Sequence, residues 1–378
     1  MTYNVAPDLT GIAPNASLYS VKVLNDLGYG TLSDTLEGIQ WVIFHAKEYN
    51  IRVMNLSLAM DSTDSWQDDP LCAAVRSAVA QGITVVVAAG NFGRNLALKE
   101  NYGTITSPGN DPSVITVGSV NTKNTTARAD DVVNFFSSRG PTRGGSTDYF
   151  TGVRTPDNVL KPDLVAPGNL IIGAASTRAV SSSLSWNTLA TVFKTPLVTA
   201  TGVTQTYGET QMYLSGPSVA APVVAGAAAL LLQANPGLTP PMIKAILQYT
   251  AQPMAGANVL QQGAGQLNIN GAVTLAKVLR TDVNSAIAAG TIVSGSPLLA
   301  AGKTMPTSRS STVAGGAANW SRMVFVGGNR VVTGDALFTK FQPIYNPRYT
   351  CLAIPCWTAT PTTGTRTRCS STGSGNPR

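Results

Sequence analysis

The feature that most constrains this fold is a long apolar segment that begins at a serine. Ser218 follows Gly216 and Pro217, and residues 219–232 are all small or apolar. A helix that is apolar on every side is typical of the interior of a large domain rather than of its surface. The sequence therefore predicts a buried helix whose first turn presents Ser218.

Two interpretations of Ser218 stay open at this level. A hydroxyl in the first turn of a buried helix lies near unpaired N–H groups and the positive end of the helix dipole, where negative charge is stabilised. This location suits a nucleophile. Serine is also a common helix cap, with no chemical role. The segment alone does not decide between the two.

An alternation of short strands and helices in the first 280 residues predicts an α/β fold. Strands are expected at 17–24, 52–58, 84–89 and 114–117. Helices are expected at 34–50, with Asp34 and Glu37 spaced as a capping box, from Asp69 and Pro70 to Gly82, from Thr239 and Pro240, and at 271–280. This alternation implies right-handed crossovers and a mainly parallel sheet covered on both faces.

Composition divides the chain into three parts. Residues 1–280 form the main domain, residues 281–346 an extension with short strands around Gly327 and Gly328, and residues 347–378 a low-complexity tail of disordered composition. Cys72 is alone in the main domain and is expected in the core. The three cysteines of the tail fit no zinc pattern.

The charge distribution argues against a nucleic-acid partner. The net charge is +7, but nine Lys and Arg residues and the single acid Asp335 lie after residue 302. Those cations are scattered without interleaved aromatic residues, which is not a nucleic-acid pattern. No segment is predicted to span a bilayer, so no membrane partner is expected, and residue 1 is not followed by a secretion signal.

Six motifs, in order along the chain, resemble those of the subtilisin-like serine proteases (subtilases, peptidase S8). They are G-I-A-P-N-A-S-L-Y-S-V-K-V-L at 11–24, V-M-N-L-S-L at 53–58, A-A-G-N-F-G at 88–93, F-S-S-R-G-P at 136–141, K-P-D-L-V-A-P-G at 161–168 and G-P-S-V-A-A-P-V-V-A-G at 216–226. The resemblance implies a three-layer subtilisin-like α/β fold, incomplete at the amino terminus, for residues 1–280.

The resemblance also implies the site residues. Ser218 becomes the nucleophile, and its N–H and the Asn91 side chain become the oxyanion donors. The implied substrate-binding residues are Ser57, Leu58 and Ala59 on one strand and Ala88, Ala89 and Gly90 along the first pocket. Without the resemblance, Asn91 is a turn residue and the others are ordinary strand ends. No cofactor and no metal ligands are implied, although relatives often carry a structural calcium that no acidic cluster here identifies.

The aspartate and histidine motifs of the family are missing. Both precede the G-I-A-P motif in relatives, and only residues 1–10 precede it here. The single histidine, His45, lies off the apolar stripe of the helix at 34–50 and is expected to face solvent. The chain as given is therefore expected to be inactive or nearly so, with sheet edge and apolar surface exposed.

Three functional classes follow. The first is a secreted, extracellular and monomeric serine endopeptidase acting on polypeptides, of which this chain is a truncated portion. The alternative is a catalytically dead pseudoprotease that binds peptides without cutting them. A third class, a structural or adhesive protein, would require the basic tail to fold and bind.

Overall fold

The computed structural model describes residues 10–348 apart from residue 26 and residues 175–188, 190–196 and 199–210. The helices are α1 (Leu32–His45), α2 (Pro70–Ala80), α3 (Pro217–Ala234), α4 (Pro240–Thr250), α5 (Val259–Gln262), α6 (Ile269–Ala276), α7 (Val283–Ala288) and α8 (Ala336–Thr339), with single 3-10 turns at Arg128–Asp130 and Pro343–Tyr345.

Five of the strands build the central sheet, and the others form small antiparallel pairs and a three-stranded sheet. The strands are β1 (Val53–Leu56), β2 (Thr84–Ala88), β3 (Ile115–Asn121), β4 (Val132–Val133), β5 (Gly145–Thr147), β6 (Arg154–Pro156), β7 (Leu164–Pro167), β8 (Ile171–Ala174), β9 (Leu197–Val198), β10 (Gln211–Leu214), β11 (Ser310–Val313), β12 (Gly316–Asn319), β13 (Met323–Val326) and β14 (Arg330–Thr333).

The central sheet is mainly parallel, as the sequence predicts. β1 pairs with β2, β2 with β3 and β3 with β7, all in parallel, while β4 runs antiparallel to β3. Every residue of β2 is buried, because this strand has a neighbour on each side and a helical layer on each face.

Two helical layers cover the sheet, and β2 shows how its residues divide between them. Val85 and Val87 pack with the residues of α1 and α2, whereas Val86 and Ala88 pack with α3 and α4. Successive strand side chains point to opposite faces, so one apolar run supplies both cores. The result is the three-layer α/β architecture expected from the sequence.

Helix α3 is covered less evenly than its composition suggests. One face is fully buried against the sheet, but Ser218, Val223 and Gly226 are half-buried and Pro222 is exposed. The sequence was also expected to contain no segment able to span a bilayer, and this expectation is wrong. Helix α3 is long and apolar enough to do so, with 18 residues and a mean hydropathy of 1.6. Its packing against β1, β2, β3 and β7 explains the apolar composition.

The amino-terminal part differs most from the prediction. Residues 17–24 form no strand, and Leu18 is 91% exposed. Among the described residues β1 pairs with β2 alone, so its other edge is open. An isolated strand has no ladder to stabilise it, which explains why a β-branched sequence stays unpaired here.

Helix α1 begins earlier and ends earlier than expected. Its capping box is formed by Thr31 and Asp34 rather than by Asp34 and Glu37, because the Thr31 side chain accepts from the Asp34 N–H and the Asp34 carboxylate accepts from the Thr31 N–H. Helix α2 follows its prediction closely, with Asp69 as its cap and Pro70 in its first turn.

The extension, residues 281–346, shares a hydrophobic core with the main domain. Tyr249 of α4 contacts Phe338 of α8, with ring centroids 5.0 Å apart, and Trp320, with centroids 6.1 Å apart. The predicted short strands around Gly327 and Gly328 pair as the hairpin β13–β14, and both glycines have positive φ. Cys72 is fully buried, also as predicted. The predicted disordered tail lies, beyond residue 348, outside the described residues.

Candidate active site

The loop after β2 is held in one conformation by Gly90. This residue has φ +104°, and a Cβ there would lie 2.8 Å from the Ser138 hydroxyl and 3.1 Å from Thr106. The Ser138 hydroxyl in turn accepts from the Phe92 N–H at 3.0 Å. Only glycine fits at position 90, so the backbone of the loop has one conformation there. Ala88, Ala89 and Gly90 are buried, and the next residue, Asn91, is exposed.

The first turn of α3 meets this loop. The Gly216 N–H donates to the Gly168 carbonyl at 2.8 Å, which ties the start of the helix to the end of β7. A Cβ at Gly216 would lie 3.5 Å from Asn91 Oδ1 and 3.7 Å from the Ser218 nitrogen. Asn91 Oδ1 and the Ser218 nitrogen thus both lie within 4 Å of one position, although 127 positions separate the two residues in the sequence.

The Ser218 N–H remains available at that point. No described residue accepts a hydrogen bond from it, whereas the Val219 and Ala220 N–H groups both donate to the Gly216 carbonyl. An unpaired N–H at the start of a helix is suited to hold an anionic oxygen. The Ser218 N–H therefore lies where negative charge next to the Ser218 hydroxyl would be stabilised.

The predicted substrate strand lies beside Ser218. Ser57, Leu58 and Ala59 directly follow β1, with Ser57 and Ala59 exposed and Leu58 half-buried. The Ser57 hydroxyl donates to the Ser218 carbonyl oxygen at 2.6 Å. Thus the structure brings Ser57, Asn91 and Ser218 together at the carboxyl ends of the parallel strands, the edge where open α/β sheets bind ligands.

His45 lies at the other end of the sheet. It sits near the start of β1, where Arg52 donates to the Pro236 and Leu238 carbonyls just beyond the end of α3. Ser218 is at the opposite end of that helix, about 25 Å away along its axis. His45 therefore does not belong to the candidate site.

The surroundings of His45 also correct its predicted exposure. Its ring packs against Trp41, Phe44 and Tyr49, with centroids 4.5, 5.0 and 5.4 Å away. Its Nδ1 lies 2.9 Å from a Glu48 carboxylate oxygen, and its side chain is only 22% exposed. That hydrogen bond lowers the pKa of Glu48. The histidine thus faces away from the core, as predicted, but aromatic rings cover most of it.

Sequence reasoning missed a buried ionic cluster at the amino-terminal ends of β3 and β7. The Asp163 carboxylate lies 2.7 Å from Lys161 Nζ and 2.8 Å from Lys244 Nζ, and accepts from the Thr116 N–H at 2.8 Å. Burial opposes the charge of Asp163, but the two ammonium groups outweigh it and leave its pKa below the usual value. Burial lowers the pKa of Lys161 to about 7. The sequence feature that could have indicated this cluster is the Lys and the Asp on either side of Pro162, directly before the apolar strand β7.

Within the described ranges, no group of three or more His, Cys, Asp or Glu side chains could hold a metal ion.

A serine in the first turn of a helix, at the carboxyl ends of parallel strands, is an arrangement found in serine hydrolases built on α/β folds. The sequence matches the subtilase family (Peptidase_S8) over residues 1–273, so the chain belongs to that family. It is 38% identical to serine protease AprX of Bacillus subtilis (strain 168) over 268 residues, which cover 70% of this chain and 52% of AprX. It is 31% identical to subtilisin E of the same organism over 262 residues, 69% of this chain and 50% of that protein.

The chain thus spans about half the length of these relatives. A solved protease from Pseudoalteromonas arctica PAMC 21717 shares 27% identity, with coverage of 70% of this chain and 65% of that one, and a TM-score of 0.46. A superposition this partial adds nothing to the assignment, which rests on the family match.

Proposed function

We propose that this chain carries the nucleophile half of a serine endopeptidase that hydrolyses polypeptides. The observation that carries the proposal is the position of Ser218, in the first turn of α3 at the carboxyl ends of the parallel strands, with Asn91 and Ser57 beside it. Family membership supports the class of reaction.

In the proposed reaction, an extended substrate lies along residues 57–59, where main-chain hydrogen bonds hold it beside the sheet edge. The Ser218 Oγ attacks the scissile carbonyl carbon, and the carbonyl oxygen becomes an anion held by the Asn91 side chain and the Ser218 N–H. The C–N bond then breaks, the amine leaves with a proton, and water hydrolyses the acyl-serine. Loss of one oxyanion donor typically costs 10²–10³ in rate.

The proton transfers need a base that the described residues do not place near Ser218. We infer that the histidine and the aspartate that orients it come from protein outside this sequence. Removing the base from such a triad costs about 10⁶ in turnover. The chain by itself is therefore expected to turn over little or no substrate.

A pseudoprotease that binds peptides without cutting them is the second candidate. The position of His45, at the end of the sheet opposite Ser218, favours it for the chain acting alone. The endopeptidase proposal includes a location outside the cell and a monomeric state. Sedimentation velocity of the purified chain tests whether it is a monomer.

Active-site labelling tests the proposal. The 378-residue chain is incubated with a fluorophosphonate at alkaline pH, and the labelled residue is located by peptide mass spectrometry. We expect slow labelling at Ser218, lost in Ser218→Ala and kept in Ser215→Ala. Ser215 is a matched control because it is an exposed serine three residues away, whose hydroxyl accepts from the Leu170 N–H.

Asn91→Ala should lower the labelling rate about 10²-fold if Asn91 holds the oxyanion-like phosphonyl oxygen. No label on Ser218 in the unsubstituted chain, together with saturable binding of an extended peptide, would instead favour the pseudoprotease.

A further inference from the structure

The second proline of the α3 sequence leaves the Ser218 carbonyl without its helical partner. In an α-helix this carbonyl accepts from the N–H four residues later, and that residue is Pro222. Proline has no N–H, so the bond cannot form. The carbonyl of the candidate nucleophile would otherwise point to water at the start of the helix.

Ser57 supplies the missing donor. Its hydroxyl lies 2.6 Å from the Ser218 carbonyl oxygen, 161 positions away in the sequence. The hydroxyl also lies 2.9 Å from Asn55 Nδ2. A carbonyl can only accept, so the single Ser57 proton goes to Ser218, and Asn55 must donate its N–H to the Ser57 oxygen. The chain of hydrogen bonds thus has one direction, from Asn55 through Ser57 to Ser218.

We propose that Ser57 is a positioning residue for Ser218, replacing the helix hydrogen bond that Pro222 cannot make. This inference rests on the proposed function, since it concerns the geometry of the nucleophile. Water could also bond the Ser218 carbonyl, but water has no fixed place there. Ser57 is anchored directly after β1, so its hydroxyl fixes the Ser218 backbone relative to the sheet edge that carries the substrate strand.

The two oxyanion donors depend on the same constraint. The Ser218 nitrogen lies near the Asn91 side chain, and the direction of its N–H is set by the backbone of the first turn of α3. The Gly216–Gly168 bond ties the first turn of α3 to the end of β7, and the Ser57–Ser218 bond ties it to the end of β1. Ser57 therefore adds a second fixed attachment to a turn in which Pro217 and Pro222 both lack an N–H.

The test is a cycle of four forms of the full chain: unsubstituted, Ser57→Ala, Pro222→Ala and the double variant. The first readout is the 13C shift of the Ser218 carbonyl, measured through the Val219 amide. Ser57→Ala should move this signal in the Pro222 background and leave it nearly unchanged beside Pro222→Ala, where residue 222 again has an N–H. The second readout is fluorophosphonate labelling of Ser218, which we expect to fall about tenfold in Ser57→Ala and to recover in the double variant.

Three further variants separate positioning from simple stability. Ser57→Thr keeps the hydroxyl and should restore both readouts. Asn55→Ala leaves the Ser57 hydroxyl without its orienting donor and should give a smaller loss. Ser77→Ala removes an exposed serine hydroxyl that also bonds a helix carbonyl, that of Ala73 at 3.0 Å, and should change neither readout.

The outcomes are distinct. An unmoved Ser218 carbonyl signal in Ser57→Ala, or an unchanged labelling rate in a chain that labels normally, would overturn the positioning role. Absence of labelling at Ser218 in the unsubstituted chain would overturn the proposed function instead.

Discussion

Gly90→Ala offers a direct measure of how tightly the loop before Asn91 is held. The substitution places a Cβ on a residue at φ +104°, a conformation that costs an L-residue about 1–2 kcal/mol. The new Cβ would lie 2.8 Å from the Ser138 hydroxyl, which must move away. That movement also weakens its hydrogen bond from the Phe92 N–H, worth about 1 kcal/mol. We expect a total loss of about 2–3 kcal/mol in the free energy of unfolding.

Gly82→Ala is the matched control. Gly82 has φ +90°, close to that of Gly90, but a Cβ there meets nothing within 4 Å. It should therefore cost only the conformational part, about 1–2 kcal/mol. The difference between the two variants isolates the contact with Ser138.

Urea titrations followed by tryptophan fluorescence give both values by linear extrapolation. Equal losses in Gly90→Ala and Gly82→Ala would refute the argument that the loop is fixed by close packing. A larger loss in Gly90→Ala should be accompanied by slower labelling of Ser218, because the displaced loop carries Asn91.

Three other predictions concern one core leucine and two ion pairs. Leu231→Ala, at a fully buried position of α3, should lower the free energy of unfolding by about 2–5 kcal/mol, while Leu98→Ala, 73% exposed, should stay within about 0.5 kcal/mol in the same urea titration. Arg76→Met leaves the buried Asp111 carboxylate without its 2.6 Å partner and should cost about 3–5 kcal/mol, partly recovered in the double variant with Asp111→Asn. The hydrogen bond from Arg309 lowers the pKa of Asp335 from 3.8 to about 2, so its stabilising effect is present above pH 3.8 and lost as the pH falls through about 2. The Tm difference between the unsubstituted chain and Asp335→Asn should thus be constant above about pH 5 and shrink towards pH 2; a difference independent of pH would contradict this.

Local patterns predicted the elements whose ends are fixed by neighbouring residues. Helix α2 begins where Asp69 caps it and Pro70 presets the first turn, and both signals lie within the segment itself. The hairpin at Gly327 and Gly328 is predictable for the same reason. At α1 two overlapping capping boxes compete, and spacing alone favoured the wrong one, since the choice depends on which residue leaves the helical conformation.

The candidate site was found through motif resemblance, which indicated Ser218 and Asn91 and the strand segments beside them. Residues 17–24 show the limit of such a pattern, since they carry a strand-like sequence but no described strand pairs with them. Strand formation needs a partner, and a partner is a tertiary property.

The sequence by itself determined the alternation of strands and helices and the apolar character of α3. It also placed glycines where α3 approaches neighbouring loops closely. Only the tertiary structure decided that the Ser57 hydroxyl bonds the Ser218 carbonyl, that Asn91 lies near the first turn of α3 and that His45 lies at the far end of the sheet. The physical reason is range. Capping, turn conformation and periodicity depend on residues a few positions apart, whereas these contacts join segments whose proximity follows from the order of the parallel strands and the direction of the helix packed across them.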